Sequence, residues 1–158
     1  MHRGAERRSR SVLPPHEFLA LPVDVPYEQY MAAVRDPSIP RVKVDDELIR
    51  WMSPTLAWVR TINPASRGAL AGYGLNLYGP TAFDTEAAGK LERIVEGWIS
   101  IFMEAPETVR FPLSREAALD GPLEDVPRET VVESLQRLST LAGRVANDTS
   151  TWLLHLGI

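Results

Sequence analysis

The stretch TEAAGKLERIVEGWISIFMEA, Thr85 to Ala105, decides the fold class of this chain. Its apolar side chains recur at intervals of three and four residues, the spacing that lines one face of an α-helix. The members of this stripe are Leu91, Ile94, Val95, Trp98, Ile99 and Phe102. Thr81 or Asp84 can accept the free N–H groups at its start, and Pro106 ends it. We therefore predict a long helix packed on the core.

A second amphipathic helix is predicted from about Pro127 to Ala146, because the same spacing returns there. Its stripe consists of Val131, Leu135, Leu138, Ala142 and Val145. Short runs of β-branched and aromatic residues predict strands. These runs are TLAWVRTI (55–62), LNLY (75–78), ETVRFPL (107–113) and TWLLHLGI (151–158). The predicted class is α+β: a single layer of short, mainly antiparallel strands packed against two long amphipathic helices.

The 158 residues are enough for one domain with its own core. Residues 1–25 are predicted to be a flexible basic tail followed by an irregular, proline-broken lead-in, and 26–158 a single α+β domain. DVPYEQYMAAV (24–34) predicts a short helix early in that domain. The segment that begins at Arg41 is ambiguous: Val42 and Val44 alternate with charges as on an edge strand, and Leu48, Ile49, Trp51 and Met52 could form one turn of helix before Pro54.

The composition excludes several classes of protein. The chain has no cysteine, so disulfides and thiolate metal sites are ruled out. No apolar run approaches the roughly 20 residues that cross a bilayer. The arginine-rich start lacks the apolar segment of a signal peptide. We expect a soluble, cytoplasmic protein with no membrane partner.

The glycine-rich segment GYGLNLYGPT, residues 72–81, raises the question of phosphate binding. A dinucleotide fingerprint needs G-x-G-x-x-G, whereas Leu77 occupies the place of the third glycine. The segment also lacks a nearby lysine or arginine. We interpret Gly79 and Pro80 as a turn that leads from a strand into the first long helix.

Metal and catalytic motifs are incomplete. The segment HEFLA mimics the start of H-E-x-x-H, but Ala20 stands where the second histidine belongs. His2, His16 and His155 lie in separate segments, unlike the short spacings of most metal sites. No G-x-S-x-G motif is present, and Ser66 lies in a polar turn. We predict no catalytic residue, cofactor or metal, and thus no enzyme.

Charge is distributed unevenly along the chain. The net charge is −4, yet residues 1–12 carry +3, which leaves −7 on the body. An acidic body repels phosphate, so we expect no direct nucleic-acid binding. Acidic surface suits a basic protein partner. The candidate partner-binding residues are Asp45, Asp46, Glu47, Glu116, Asp120, Glu124 and Asp125. Alternatively, these acids lie in a solvated loop and at the start of a helix and bind no partner, since carboxylates near a helix N-terminus interact favourably with the helix dipole.

A family resemblance joins these observations. The segment GLNLYGPT, then WISIFMEAP about twenty residues later, then the terminal LLHLGI, resembles immunity proteins of bacterial polymorphic toxin systems. The similarity is to those paired with restriction-endonuclease-like nuclease toxins, and it covers residues 45–111 and the C-terminus. It implies a small cytoplasmic α+β protein that binds and blocks a cognate toxin. It assigns no functional residue, because the matching positions look structural.

The sequence therefore predicts a toxin-neutralising binding protein that contacts its partner, a nuclease in this interpretation, through acidic surface. The alternative is a small enzyme or ligand-binding domain with a pocket between sheet and helices. That pocket would use Trp58, Tyr73, Tyr78 and His155. A third possibility is a structural subunit of a larger assembly.

Overall fold

A computed structural model describes residues 15–66, 72–112 and 123–157. The α-helices among them are α1 (Tyr30–Arg35), α2 (Asp46–Leu56), α3 (Thr85–Met103) and α4 (Arg128–Ala146). The strands are β1 (His16–Pro22), β2 (Arg41–Val44), β3 (Arg60–Thr61), β4 (Gly72–Tyr73), β5 (Pro80–Phe83), β6 (Thr108–Pro112), β7 (Leu123–Pro127) and β8 (Thr151–Leu156). Single turns of 3₁₀-helix lie at Tyr27–Gln29 and Pro64–Ser66.

The main sheet has four antiparallel strands in the order β2-β1-β8-β5. Its centre pairs the first described strand with the last, from Glu17 opposite Leu156 to Pro22 opposite Thr151. Strands β3 and β4 form a separate antiparallel pair, as do β6 and β7. Pairing between strands so far apart in the sequence raises the contact order, which slows folding.

Helices α3 and α4 pack against each other and cover one face of the main sheet. The predicted stripe of α4 is buried throughout, and α3 buries Leu91, Val95, Ile99 and Phe102 of its own stripe. Burying a leucine or phenylalanine side chain contributes about 1.5–3 kcal/mol, so these two stripes supply much of the core. The predicted α+β class, with short antiparallel strands against two long amphipathic helices, is confirmed.

Helix α3 begins where the sequence places its cap. The Asp84 carboxylate accepts a hydrogen bond from the Ala87 N–H at 2.9 Å. This bond satisfies one of the N–H groups that a helix start leaves unpaired. The helix ends three residues before Pro106, which cannot continue it.

The other face of the main sheet carries a smaller apolar cluster. Leu21, Leu154 and Tyr30 of α1 are its buried members. Leu19 also points to this side, since it alternates with Phe18 and Ala20 of the helix-covered side. Both faces of β1 are therefore buried.

This double burial corrects the predicted lead-in of residues 1–25. The sequence predicts irregular chain there, whereas His16–Pro22 forms the strand β1 inside the main sheet. A strand that is buried on both faces shows no alternation of polar and apolar residues, so its pattern was missed. The predicted basic tail, residues 1–12, lies outside the described residues.

Two predicted strands before α3 also need correction. Most of 55–62 is the end of α2 and a turn, and only Arg60–Thr61 is strand. Residues 75–78 form a loop, and the strand that precedes α3 is Pro80–Phe83. Pro54 lies inside α2, near its end, where the sequence suggested that a helix would stop. The predicted strands at 107–113 and 151–158 are confirmed as β6 and β8.

Candidate functional site

A cleft opens where the end of β2, the start of α2 and the first turns of α4 meet. Its volume is about 230 Å³. The apolar lining consists of Leu48, Phe111, Val126 and Val131, and the polar lining of Lys43, Asp45, Glu47, Thr130, Glu133, Ser134 and Arg137. Apolar side chains with a few charged groups around them are the ordinary composition of a binding site.

The charges of the cleft are predominantly negative. Asp45, Glu47 and Glu133 supply three carboxylates against the cations Lys43 and Arg137. Lys43 lies 3.1 Å from Glu17, so part of its charge is already compensated outside the cleft. Asp45 and Glu47 have interaction partners of their own as well, so the preference for a cation or a basic side chain rests on the excess of one carboxylate over the cations of the lining.

The consecutive acids Asp45, Asp46 and Glu47 separate because the chain changes from strand to helix at this point. Asp45 has extended backbone angles, precedes α2 and is exposed. Asp46 turns into the protein and is 4% exposed, whereas Glu47 is 7% exposed and lines the cleft. Carboxylates in a first helical turn also interact favourably with the helix dipole.

Beneath the cleft lies a buried chain of polar side chains that sequence reasoning missed. The Nε2 atom of His16 lies 3.0 Å from Oδ1 of Asp46, and its Nδ1 atom lies 2.8 Å from Nε2 of His155. Arg50 completes the chain, with Nε 2.6 Å from Oδ2 of Asp46, a contact that is electrostatic rather than a well-aligned hydrogen bond. His16 and His155 are almost fully buried, and their rings are nearly parallel, 19° apart, with centroids separated by 5.0 Å.

The available donors and acceptors determine which ring nitrogens of His16 and His155 carry the protons. If His16 donates its Nε2–H to the Asp46 carboxylate, its Nδ1 accepts the Nε2–H of His155. The remaining Nδ1 of His155 then carries only a lone pair, and it has no hydrogen-bond partner among the described residues. If instead the Nδ1–H of His16 donated to Nε2 of His155, the buried Nδ1–H of His155 would have no acceptor among the described residues. A buried N–H without an acceptor costs more free energy than a lone pair without a donor.

The electrostatics agree with a neutral His155. Burial lowers the pKa of His155 from its ordinary value of 6.5 to about 3, and the neighbouring His16 lowers it further. Because both imidazoles are closed to solvent, the chain from His155 to Asp46 has no substrate access in this structure. It anchors the first turn of α2, and with it one wall of the cleft, to the centre of the sheet.

The predicted partner-binding residues have different fates. Asp45 and Glu47 come together at the cleft with Glu133, which lies in the second turn of α4. Asp46 is buried, so the expectation that it forms part of an outer surface is corrected. The Asp46 carboxylate accepts a hydrogen bond from His16, which offsets the cost of burying it.

Of the remaining predicted acids, Asp125 and the backbone of Glu124 belong to β7. Asp125 is exposed and lies 3.0 Å from Arg110, while Phe111 and Val126 of the β6–β7 pair line the cleft. The side chain of Glu124 lies outside the described part of the structure. Glu116 and Asp120 also fall outside the described residues.

The alternative pocket does not assemble as expected. Trp58 and Tyr73 flank a shallow depression of about 220 Å³, together with Arg60, Glu86, Ala87 and Lys90. Tyr78 is 91% exposed and His155 is buried, so these four side chains do not converge on one cavity. Two nearby cations are also engaged, since Arg60 pairs with Asp84 at 3.2 Å and Lys90 donates to the Trp58 carbonyl at 2.6 Å.

Comparisons of the chain with protein-family models, with curated proteins and with solved structures find no match. Within residues 15–66, 72–112 and 123–157, no cluster of three or more histidine or carboxylate side chains is arranged to hold a metal ion. Over the same ranges, no helix has the length and hydrophobicity to cross a bilayer.

Proposed function

We propose that this chain is a toxin-neutralising binding protein of the immunity type. It blocks a cognate bacterial toxin by direct contact through the cleft between α2 and α4. The observation that carries the proposal is the meeting of Asp45 and Glu47 with Glu133 around an apolar floor. Glu133 lies 86 or more residues after the other two acids in the chain, yet all three line one opening.

The size of the cleft favours a protein over a small ligand. Sites for small molecules usually have volumes of about 300–1,000 Å³, whereas this cleft encloses about 230 Å³. That volume suits one or two side chains of a partner. Binding energy in protein interfaces is concentrated in such anchors, which enter a pocket that excludes water. A lysine or arginine would place its charge beside Glu133 and its aliphatic stem on Leu48 and Val131.

The charge of the cleft favours a basic partner. A nuclease presents a basic surface to the phosphates of its substrate, and carboxylates can occupy that surface in their place. The buried chain of His16, His155 and Asp46 has a structural role in this proposal, since it fixes the wall that carries Asp45 and Glu47. The proposed function does not require these three side chains to catalyse a reaction.

Co-expression with the product of each adjacent gene tests the proposal. We expect one of these products to be toxic alone, to form a one-to-one complex with this chain and to be tolerated when both are present. Size-exclusion chromatography with light scattering measures the stoichiometry, and colony counts measure the protection. If every adjacent product is harmless, or if none forms a complex, the proposed function is wrong.

A further inference from the structure

The cleft continues along the edge of the main sheet that β2 forms. Strand β2 is the outer strand at one side and pairs only with β1 among the described strands. At the opposite side, Ile62 covers β5 through two backbone hydrogen bonds with Ala82, at 2.8 and 2.9 Å. The two edges therefore differ, and among the described residues no strand pairs with the outer side of β2.

The register identifies which peptide groups face outward. The Ala20 N–H donates to the Pro40 carbonyl at 3.0 Å, and bonded pairs alternate along an antiparallel ladder. The peptide groups of Val42 and Val44 thus face β1. Those of Arg41 and Lys43 point away from the sheet, where no described backbone group bonds to them.

A row of side chains on α4 runs beside this edge. Together with β2 it encloses a groove of about 480 Å³, which shares Glu133 and Arg137 with the acidic cleft. Val42 and Leu141 contribute apolar surface to the groove. The exposed row consists of Glu133, Gln136, Arg137, Thr140 and Arg144. An exposed strand edge beside a helix is a geometry that binds an extended peptide as an added strand.

The two ends of the groove carry charges of opposite sign. At the end of β2 it opens into the cleft that Asp45, Glu47 and Glu133 line. Towards the start of β2 it carries Arg41 and Arg144, neither of which has a carboxylate within ion-pair distance among the described residues. Arg137 lines both the cleft and the groove and so lies between the two ends. The Arg41 guanidinium is held in place by the carbonyls of Val34, Asp36 and Ile39.

We propose that an extended segment of a partner protein adds to β2 as an antiparallel fifth strand. In this orientation the N-terminal part of the segment lies at the acidic end and carries lysine or arginine. Its C-terminal part lies at the arginine end and carries a carboxylate, either a side chain or the chain terminus. This inference rests on the proposed function for the source of the segment, the toxin, and it adds the chemistry and direction of the contact.

The dimensions set the length of the segment. Four residues of β2 span roughly 13 Å at 3.3 Å per residue. The row from Glu133 to Arg144 covers roughly 17 Å at 1.5 Å per residue. About five extended residues fill the groove, and every second side chain faces α4.

Hydrogen exchange with a defined probe tests the added strand. The probe is a synthetic peptide with two N-terminal lysines, then alternating valine and threonine, and a free C-terminal carboxylate. We expect exchange of the Arg41 and Lys43 amides to slow about tenfold or more when it binds. The peptide of reversed sequence should bind about tenfold more weakly, because its charges oppose those of the groove. Unchanged exchange at both amides, or equal binding of the reversed peptide, would overturn the inference.

Substitution of Lys43 provides a matched control. K43P removes an outward N–H without breaking the β1–β2 ladder, and proline is tolerated on an edge strand. K43A removes the same side chain but keeps the N–H. We expect K43P to weaken binding of the probe about fivefold or more relative to K43A. Thermal melts of both variants establish that they are folded, and equal affinities of two folded variants would contradict strand addition.

The same exchange experiment on the toxin complex separates the two proposals. A complex in which the Arg41 and Lys43 amides stay unprotected would overturn strand addition and leave the proposed function standing. Binding of the peptide without any toxic partner would support the groove and contradict the proposed function. A self-associated chain in which these amides are protected would show that the edge pairs with a second copy, and would overturn the inference.

Discussion

The Nδ1 atom of His16 lies 2.8 Å from the Nε2 atom of His155, although 139 positions separate the two residues. The contact joins β1 to β8 at the centre of the main sheet. It continues through Asp46 into the first turn of α2, which carries the acidic wall of the cleft. The stability of the sheet and the shape of the cleft are therefore linked.

Removal of the Asp46 carboxylate should destabilise the protein strongly. D46A leaves the buried N–H of His16 without an acceptor, and we expect a loss of about 3 kcal/mol in the free energy of unfolding. D46N keeps an acceptor and should lose about half as much. The Arg50 pair adds little to this difference, because that arginine is 44% exposed.

Urea denaturation measures these losses, with D125N as the control. Asp125 is exposed and pairs with an exposed Arg110, so its substitution should change stability by less than about 1 kcal/mol. Similar losses for D46A and D125N would show that the buried contact with His16 does not contribute to stability.

Stability should fall as the pH decreases below 7. The pKa of His155 is about 3 in the folded protein and about 6.5 when unfolded. Between these values only the unfolded chain binds the proton, so acid favours unfolding. The expected loss from this residue is roughly 2 kcal/mol between pH 7 and pH 5.

A variant isolates this effect from the protein's other titrating groups. In H155Q the amide can still donate to His16 but has no proton to gain, so its stability should depend less on pH over this range. Denaturation curves at pH 7, 6 and 5 compare the two proteins. Parallel curves would mean that the folded protein does not keep His155 neutral.

Two glycine substitutions should act in opposite directions. Gly74 has a φ angle of +74°, and an added Cβ would lie 3.3 Å from the Cα of Ala57. G74A should therefore destabilise the protein by about 1–2 kcal/mol. Gly97 lies in α3 with open space around it, so G97A should stabilise by about 0.5–1 kcal/mol. Melting temperatures that shift in the same direction would contradict this assignment.

The long helices could be predicted because their signal is local. The stripes of α3 and α4 are periodic within each helix, and the Asp84 cap lies immediately before the residues it serves. Strand β1 gave no such signal, since apolar residues on both faces remove the alternation that marks a half-buried strand. The loop after Gly74 was also misread, because its leucines and tyrosine imitate a strand.

The candidate site was only partly predictable, because its residues meet through the fold. Asp45 and Glu47 were recognised as acids, but their proximity to Glu133 depends on how α4 lies beside β2. The contact between His16 and His155 depends on the pairing of the first and last described strands. A histidine in each of two strongly apolar segments was the available signal, since a buried polar ring needs a partner.

Charge reversal at two positions on α4 tests the role of the cleft most directly. Glu133 lines the cleft, whereas Glu129 is exposed one turn earlier on the same helix and lies outside the lining. The measurement is the Kd of each variant for the toxin identified by co-expression. We expect E133R to weaken binding by about tenfold or more and E129R to change it by less than about threefold. Equal affinities of E133R and the unmodified protein would show that the toxin binds elsewhere.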